Sequence, residues 1–331
     1  MKVGITGATG CVGRNLVERL AIDCSINVIA LGRNPSIGTE LESSRCVFRR
    51  VELTDKVQIE RSLKNLDVLV HCAAVTGPWG SYDHFYSANV NGTRNVLAAL
   101  KQSSVKTFIY LSTPSIYFNN TSRLNIRESE ALPLRQYTNY SRTKLEAEHL
   151  VRETHLDQCK VFILRPRAIF GAYDRTIMPR LLRVARFGWF PLIEGGDAQV
   201  DITYVQNLSE LIYQICLDGS ARPGTYNITN GEPLTIKELC KDLFSQLGLS
   251  PKYLNVSRSV AYHTANAMEN LFSLPFVRNY EPPLTKYTVG LIGYSQTLDI
   301  TLARKCINYQ PNISIKEGLS RYVHWLQKTE A

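Results

Sequence analysis

Short runs of consecutive apolar residues alternate along the first half of the chain with segments whose apolar positions recur every three or four residues. The runs KVGIT (2–6), INVIAL (26–31), VFRRVEL (47–53), DVLVHCA (67–73), TFIYLS (107–112) and KVFILRP (160–166) read as strands. GRNLVERL, KVQIERSLK, NGTRNVLAALKQ and YSRTKLEAEHLVRE lie between them and carry the helical period. Strand–helix alternation predicts parallel strands joined by right-handed crossovers. Near-continuous apolar strands predict a sheet covered on both faces. The fold class is α/β, a doubly wound parallel sheet.

Beyond residue 170 the rhythm loosens. TIMPRLLRVARFG reads as a helix with a basic outer face, DITYVQNLSELIYQICLDG as a short strand running into a helix, and GTYNIT as a further strand. Thr235 with Glu238, and Ser314 with Glu317, have capping-box spacing and open two later helices. EPPLTKYTVGLIGYSQTLD is rich in proline and glycine and reads as irregular. The division is residues 1–170, the alternating strand–helix unit, and 171–331, a smaller mixed α/β lobe partly threaded back onto the sheet.

Composition leaves this picture standing. The 331 residues are 44% hydrophobic and 20% charged, ample for a large core. The formal charge of +9 is spread without a long basic run, which disfavours a nucleic-acid partner and suits an anionic small ligand or membrane surface. The 8 cysteines form no C-x-x-C pair and read as buried, reduced thiols, with no metal site expected. Neither a signal-peptide pattern nor a long apolar stretch is present, so a cytoplasmic protein is expected.

Two motifs carry chemistry. TGATGCVG sets Gly7, Gly10 and Gly13 between the first strand and the first helix, where backbone N–H groups can meet a pyrophosphate. TNYSRTKLEAE places Tyr140 and Lys144 one helical turn apart on one face, as a catalytic pair or as two polar residues on a solvated face.

Together the G-x-x-G-x-x-G turn and Tyr140-x-x-x-Lys144 resemble the extended short-chain dehydrogenases/reductases. Further matches are HCAA (71–74), NVNGTRNVL (89–97), LSTPSIY (111–117) and LRPRAIFG (164–171), so the resemblance spans essentially the whole chain. It implies a Rossmann-type sheet and places Thr9, Cys11, Val12, Ala73, Ala74, Pro166 and Ile169 at the cofactor with the three glycines. Glu52 and Leu53 would lie beside the adenine, although Glu52 equally suits a surface charge. Tyr140 would be the general acid/base, Lys144 its tuning partner and ribose ligand, and Asn89 a support for the proton path. The substrate-orienting hydroxyl would be Thr113, with Ser112 the alternative. Substrate contacts are expected at Thr76, Ser115, Tyr117, Met178 and Tyr204.

The second strand ends in ALGRNP, with no acidic residue to hold a ribose 2′-hydroxyl. Arg33 can instead pair with a 2′-phosphate, favouring NADP(H) over NAD(H); a solvated loop arginine is the other reading. Val200 precedes Asp201, and Ala168 follows Arg167, where nucleotide-sugar relatives carry arginine and asparagine. LSTPSIYF, RPRAIFGAYD and YSQTLDITLARKCINYQP look most like the 3β-hydroxysteroid dehydrogenase/isomerase branch. The expectation is an oxidoreductase of a bulky apolar 3-hydroxy/3-keto substrate, steroid-like or a long-chain 2-alkyl-3-keto acid. A nucleotide-sugar epimerase or dehydratase with tightly held NAD, and a non-catalytic cofactor sensor, are the alternatives. A homodimer and peripheral membrane contact are expected.

Overall fold

The computed structural model describes residues 1–277 and 280–330. The six strands expected in the first half form as β1 (Lys2–Thr6), β2 (Asn27–Gly32), β3 (Cys46–Arg50), β4 (Val68–His71), β5 (Thr107–Leu111) and β6 (Lys160–Pro166), and Gly224–Ile228 adds β7. Their order is β3-β2-β1-β4-β5-β6-β7, parallel throughout. From β1 the chain winds outward to β3, then crosses back to β4. The crevice at the carboxyl ends of β1 and β4 is therefore the topological switch point, where ligands of such sheets bind.

Helices cover both faces. On one, α1 (Cys11–Ala21) and α5 (Val205–Leu217) bury Leu16, Leu20, Leu208 and Ile212. On the other, α2 (Lys56–Ser62), α3 (Gly92–Leu100) and α4 (Asn139–Glu153) bury Ile59, Val96, Leu97, Ala147 and Val151. A π-helical turn, Ser87–Asn91, precedes α3, which starts within one residue of the expected helix.

The second lobe packs helices Met178–Ala185, Ile236–Gln246 and Ile315–Glu330 around Phe190, Phe244 and Leu319. Its four-stranded sheet runs Leu234–Thr235, Gln199–Val200, Gln296–Leu298, Arg123–Ile126. The chain is exchanged in both directions: Arg123–Ile126 leaves the first half for this lobe, while α5 and β7 return to the large sheet. Thr235 and Glu238 close their capping box, with Glu238 N–H donating to Thr235 Oγ1 and Thr235 N–H to Glu238 Oε2. Only half of the second box forms. Glu317 N–H reaches Ser314 Oγ, but the Glu317 carboxylate takes Arg321 at 2.6 Å.

Residues 281–299 are not irregular as expected. They hold the helix Lys286–Gly293, capped by Thr285, and the strand Gln296–Leu298. The glycines that looked like breakers permit close docking: a Cβ on Gly290 would stand 2.4 Å from the Phe118 ring. All eight cysteines are unpaired, and Cys24, expected to be buried, is exposed. Among the described residues no helix is long and apolar enough to cross a membrane, and no cluster could hold a metal ion.

Candidate active site

The glycine turn is shaped by close approach. Gly7 has φ +69°, and a Cβ there would meet the Ala73 backbone at 2.7 Å. One on Gly13 would lie 2.2 Å from Gly7 O. Both positions require glycine because loop, α1 and the segment after β4 touch through main chain. Gly10 caps α1 with no side-chain bond, so the first N–H groups of the helix keep their donors for an anion. Gly7, Thr9, Gly10, Cys11, Val12 and Gly13 line one end of a cleft of ≈560 Å³. A backbone cradle at the switch point, walled by side-chain-free positions, fits a dinucleotide.

The same cleft brings together Tyr140 and Lys144 from α4, Thr113 and Ser115 from the segment after β5, Thr76 and Ala74 after β4, and Pro166 and Ile169 around the end of β6. Thr138 and Ser141 close a reciprocal cap at the start of α4, fixing Tyr140 in its first turn. Lys144 is buried, donates to Leu111 O at 2.7 Å and lies over the Tyr110 ring. Burial pulls its ammonium down to about 7, while the negative charge of Glu148, one turn further on, opposes that fall. The Tyr140 phenol is pushed up to about 12, first by burial, with a hydrogen bond to Thr113 acting the other way. The expected lowering by Lys144 is therefore not what sets Tyr140 in the ligand-free cleft.

Ser112 and Thr113 both line the cleft but differ in their bonds. Ser112 Oγ donates to Glu148 Oε2 at 2.5 Å, so its proton is committed to the protein interior. Thr113 faces Tyr140 and donates to Ser115 Oγ at 3.0 Å, which also accepts from the Tyr287 hydroxyl at 2.8 Å. Beneath them Glu148 pairs with Arg165 at 2.5 Å, both fully buried. Burial alone would raise Glu148, but Arg165 and Ser112 hold it below the usual carboxylate range. Asn89 sits in the π-helical turn, buried, with its amide on both backbone groups of Val75 and on Thr143 Oγ1. It braces the segment beside the cleft and does not line it.

Several expected contacts lie elsewhere. Tyr117 is fully buried beneath the cleft, accepting from Arg165 and donating to Asn227 at 2.9 Å. Met178 and Tyr204 are core residues of the second lobe, Tyr204 against Phe170. All three sit next to site residues in sequence, but their side chains face the opposite way from the cleft. Ala73 contributes backbone against Gly7. Arg33 is exposed beyond β2, and Leu53 packs on Gly92, with Glu52 beside it. The cleft also takes in Arg167, Asp201, Tyr287, Leu291 and Ile292, none expected as site residues. Tyr287, Leu291 and Ile292 come from the stretch read as irregular; the Thr285–Thr288 capping spacing was the one signal for a helix there.

A seven-stranded parallel sheet with a glycine turn at its switch point and a Tyr–Lys pair opposite defines a nicotinamide-dinucleotide enzyme. The chain belongs to the NAD dependent epimerase/dehydratase family, whose model matches residues 3–229, and is an enzyme of the extended short-chain dehydrogenase/reductase type. It is 35% identical to the uncharacterized protein YbjS of Escherichia coli, over 99% of this chain and 98% of that one. It is 32% identical to a 2-alkyl-3-oxoalkanoate reductase of Stenotrophomonas maltophilia, over 97% and 98%, and 27% identical to a decarboxylating sterol-4-alpha-carboxylate 3-dehydrogenase of Candida albicans, over 98% and 97%. Among solved structures, UDP-glucuronic acid 4-epimerase from Bacillus cereus in complex with NAD superposes with a TM-score of 0.78 at 21% identity, covering 100% of both chains. That likeness speaks to the fold.

Proposed function

We propose that the chain is an oxidoreductase, preferring NADP(H), that interconverts a 3-hydroxy and a 3-keto group on a bulky apolar substrate, 3β-hydroxysteroid-like or a long-chain 2-alkyl-3-keto acid. One observation carries the reading: the cleft continues past Thr113 and Tyr140 into a wall of Val200, Ile202, Ile236, Leu239, Leu291 and Ile292. That wall suits a hydrocarbon body. The printed activities of the Stenotrophomonas and Candida relatives support the same substrate class.

The bound dinucleotide supplies hydride transfer at its nicotinamide ring. The residues that would hold it are the Gly7–Gly13 turn at the pyrophosphate, Lys144 at the ribose, and Arg33 at a 2′-phosphate. Tyr140, protonated at neutral pH, donates its proton to the substrate carbonyl oxygen. Thr113 turns its hydroxyl proton from Ser115 Oγ to the same oxygen and fixes its place. Ser115 N–H donates to Thr113 Oγ1 at 3.2 Å, so it holds Thr113 in register meanwhile. Lys144 keeps donors free beyond its bond to Leu111 O.

Two partner readings belong with this proposal. A homodimer would pair through the helices that follow β4 and β5. Exposed Trp189 and Leu254 lie on paired strands, Trp189 opposite Lys252, with exposed Phe187 in the turn just before them, a face suited to an anionic membrane. The deciding assay offers NADP⁺ and NAD⁺ with a 3β-hydroxysteroid, a 2-alkyl-3-hydroxy acid and UDP-glucose. Turnover of either apolar alcohol supports the reading, and turnover of UDP-glucose alone overturns it.

A further inference from the structure

Four cationic side chains line the cleft; Arg175 and Arg180 are exposed or half-buried, whereas Lys144 and Arg167 are buried. Arg167 follows β6 directly, is 5% exposed, and lines the cleft. Its Nη1 donates to Gln296 Oε1, whereas its Nε has no hydrogen-bond partner. The carboxylate whose charge acts on it, Asp201, is equally buried; its Oδ2 accepts from Leu298 N–H at 2.7 Å and its Oδ1 is unpartnered. A guanidinium so placed has been taken out of water without a full set of acceptors, a costly state for a purely structural residue. Its planar fork suits a carboxylate.

Its position relative to the reacting groups is informative. Tyr287 lines the same cleft, and its hydroxyl donates to Ser115, the partner of Thr113. The proton donor Tyr140 and the buried Arg167 thus open onto one cleft. In a 3-oxo acid the carboxyl carbon stands only two bonds from the carbonyl carbon, so one substrate can present both groups to it.

We propose that Arg167 is the receptor for a substrate carboxylate, so that the cleft takes a 3-hydroxy or 3-oxo acid in preference to the corresponding neutral alcohol or ketone. This rests on the oxidoreductase reading above and selects the acid within it. Oxidation of a long-chain 2-alkyl-3-hydroxy acid, its methyl ester and the secondary alcohol lacking the carboxyl group tests it, with wild type, Arg167→Gln and Arg167→Lys compared by kcat/KM. Wild type is expected to favour the acid over the ester by roughly 10²–10⁴-fold, as sites built to satisfy a polar substrate group do. Arg167→Gln should bring that ratio to within about threefold of unity, mainly through KM, and Arg167→Lys should restore part of it. Equal use of acid and ester by wild type overturns the assignment, whether or not the variants fold, as does an equal loss on all three substrates in Arg167→Gln. If wild type oxidises none of the three, the oxidoreductase reading itself has failed, and the carboxylate receptor with it.

Discussion

Replacing Glu148 by glutamine perturbs the charge that underlies the site while keeping its shape. The carboxylate accepts from Ser112 Oγ at 2.5 Å, Arg165 Nε at 3.0 Å and Arg165 Nη2 at 2.5 Å, with Arg152 reaching in from the surface. Glutamine keeps one acceptor and turns an NH₂ toward donors, leaving the Arg165 guanidinium buried and uncompensated. Breaking a buried pair in this way costs about 3–5 kcal/mol, and the half-exposed Arg152 adds little. Lys144 feels the change as well, because Glu148 supports its ammonium against burial. From about 7 its pKa moves lower, so the protonated fraction at neutral pH drops. Denaturant unfolding of wild type and Glu148→Gln reads the first effect, and the pH dependence of dinucleotide binding reads the second. Because the folded-state pKa of Glu148 is depressed, its contribution is present above the ordinary carboxylate range and is lost as pH falls through the folded value. The stability difference should therefore shrink on acidification. A loss below about 1 kcal/mol at neutral pH, or one independent of pH, would refute this account of the buried pair.

Gly13→Ala would press a Cβ against Gly7 O at 2.2 Å and Ala8 Cα at 2.6 Å. It should cost about 1–3 kcal/mol and weaken dinucleotide binding more than tenfold by calorimetry; normal affinity would remove the tight turn from the binding site. Arg33→Ala should weaken NADPH by about tenfold and leave NADH nearly unchanged, as loss of one charge-assisted contact predicts; equal losses would point to NAD. Lys144 has its folded-state pKa below the unfolded one, so the unfolded chain binds more protons between about pH 7 and 10 and the stability of the ligand-free protein should rise across that window. Lys144→Met should flatten the rise in thermal unfolding, and an unchanged slope would show that Lys144 is not the buried titrating group. Anionic vesicles should retain the wild type and release a Phe187→Ser/Trp189→Ser variant in flotation; wild type that stays entirely free excludes the membrane face.

The large sheet was legible because strands buried on both faces read as unbroken apolar runs, and the turn between β1 and α1 admits little but glycine. The spacing of Tyr140 and Lys144 alone left a solvated face as an equal reading; the glycine turn and the motifs holding Asn89 and Thr113 gave the pair its meaning. What the sequence did not show is direction and distance. Tyr117 and Thr113 lie four residues apart, yet one faces the Arg165–Glu148 network and the other the cleft. Gly290 and Gly293 looked like breakers because their reason, contact with Phe118 and Ile193, lies far away along the chain. Arg167 entered the sequence reading only as the neighbour of Ala168, which departs from nucleotide-sugar relatives; its missing partner becomes visible once Gln296 and Asp201 are folded around it.

The account centres on a proton held by Tyr140 over an apolar substrate. Tyr140→Phe removes that proton and little else, since the ring keeps its contact with Phe85 at 6.1 Å between centroids. Steady-state oxidation of a 2-alkyl-3-hydroxy acid, followed by nicotinamide absorbance alongside a direct dinucleotide-binding titration, measures the consequence. The expected result is a fall in kcat of about 10²–10⁴-fold with dinucleotide affinity held within about twofold. Turnover near the wild-type rate in Tyr140→Phe would contradict the account.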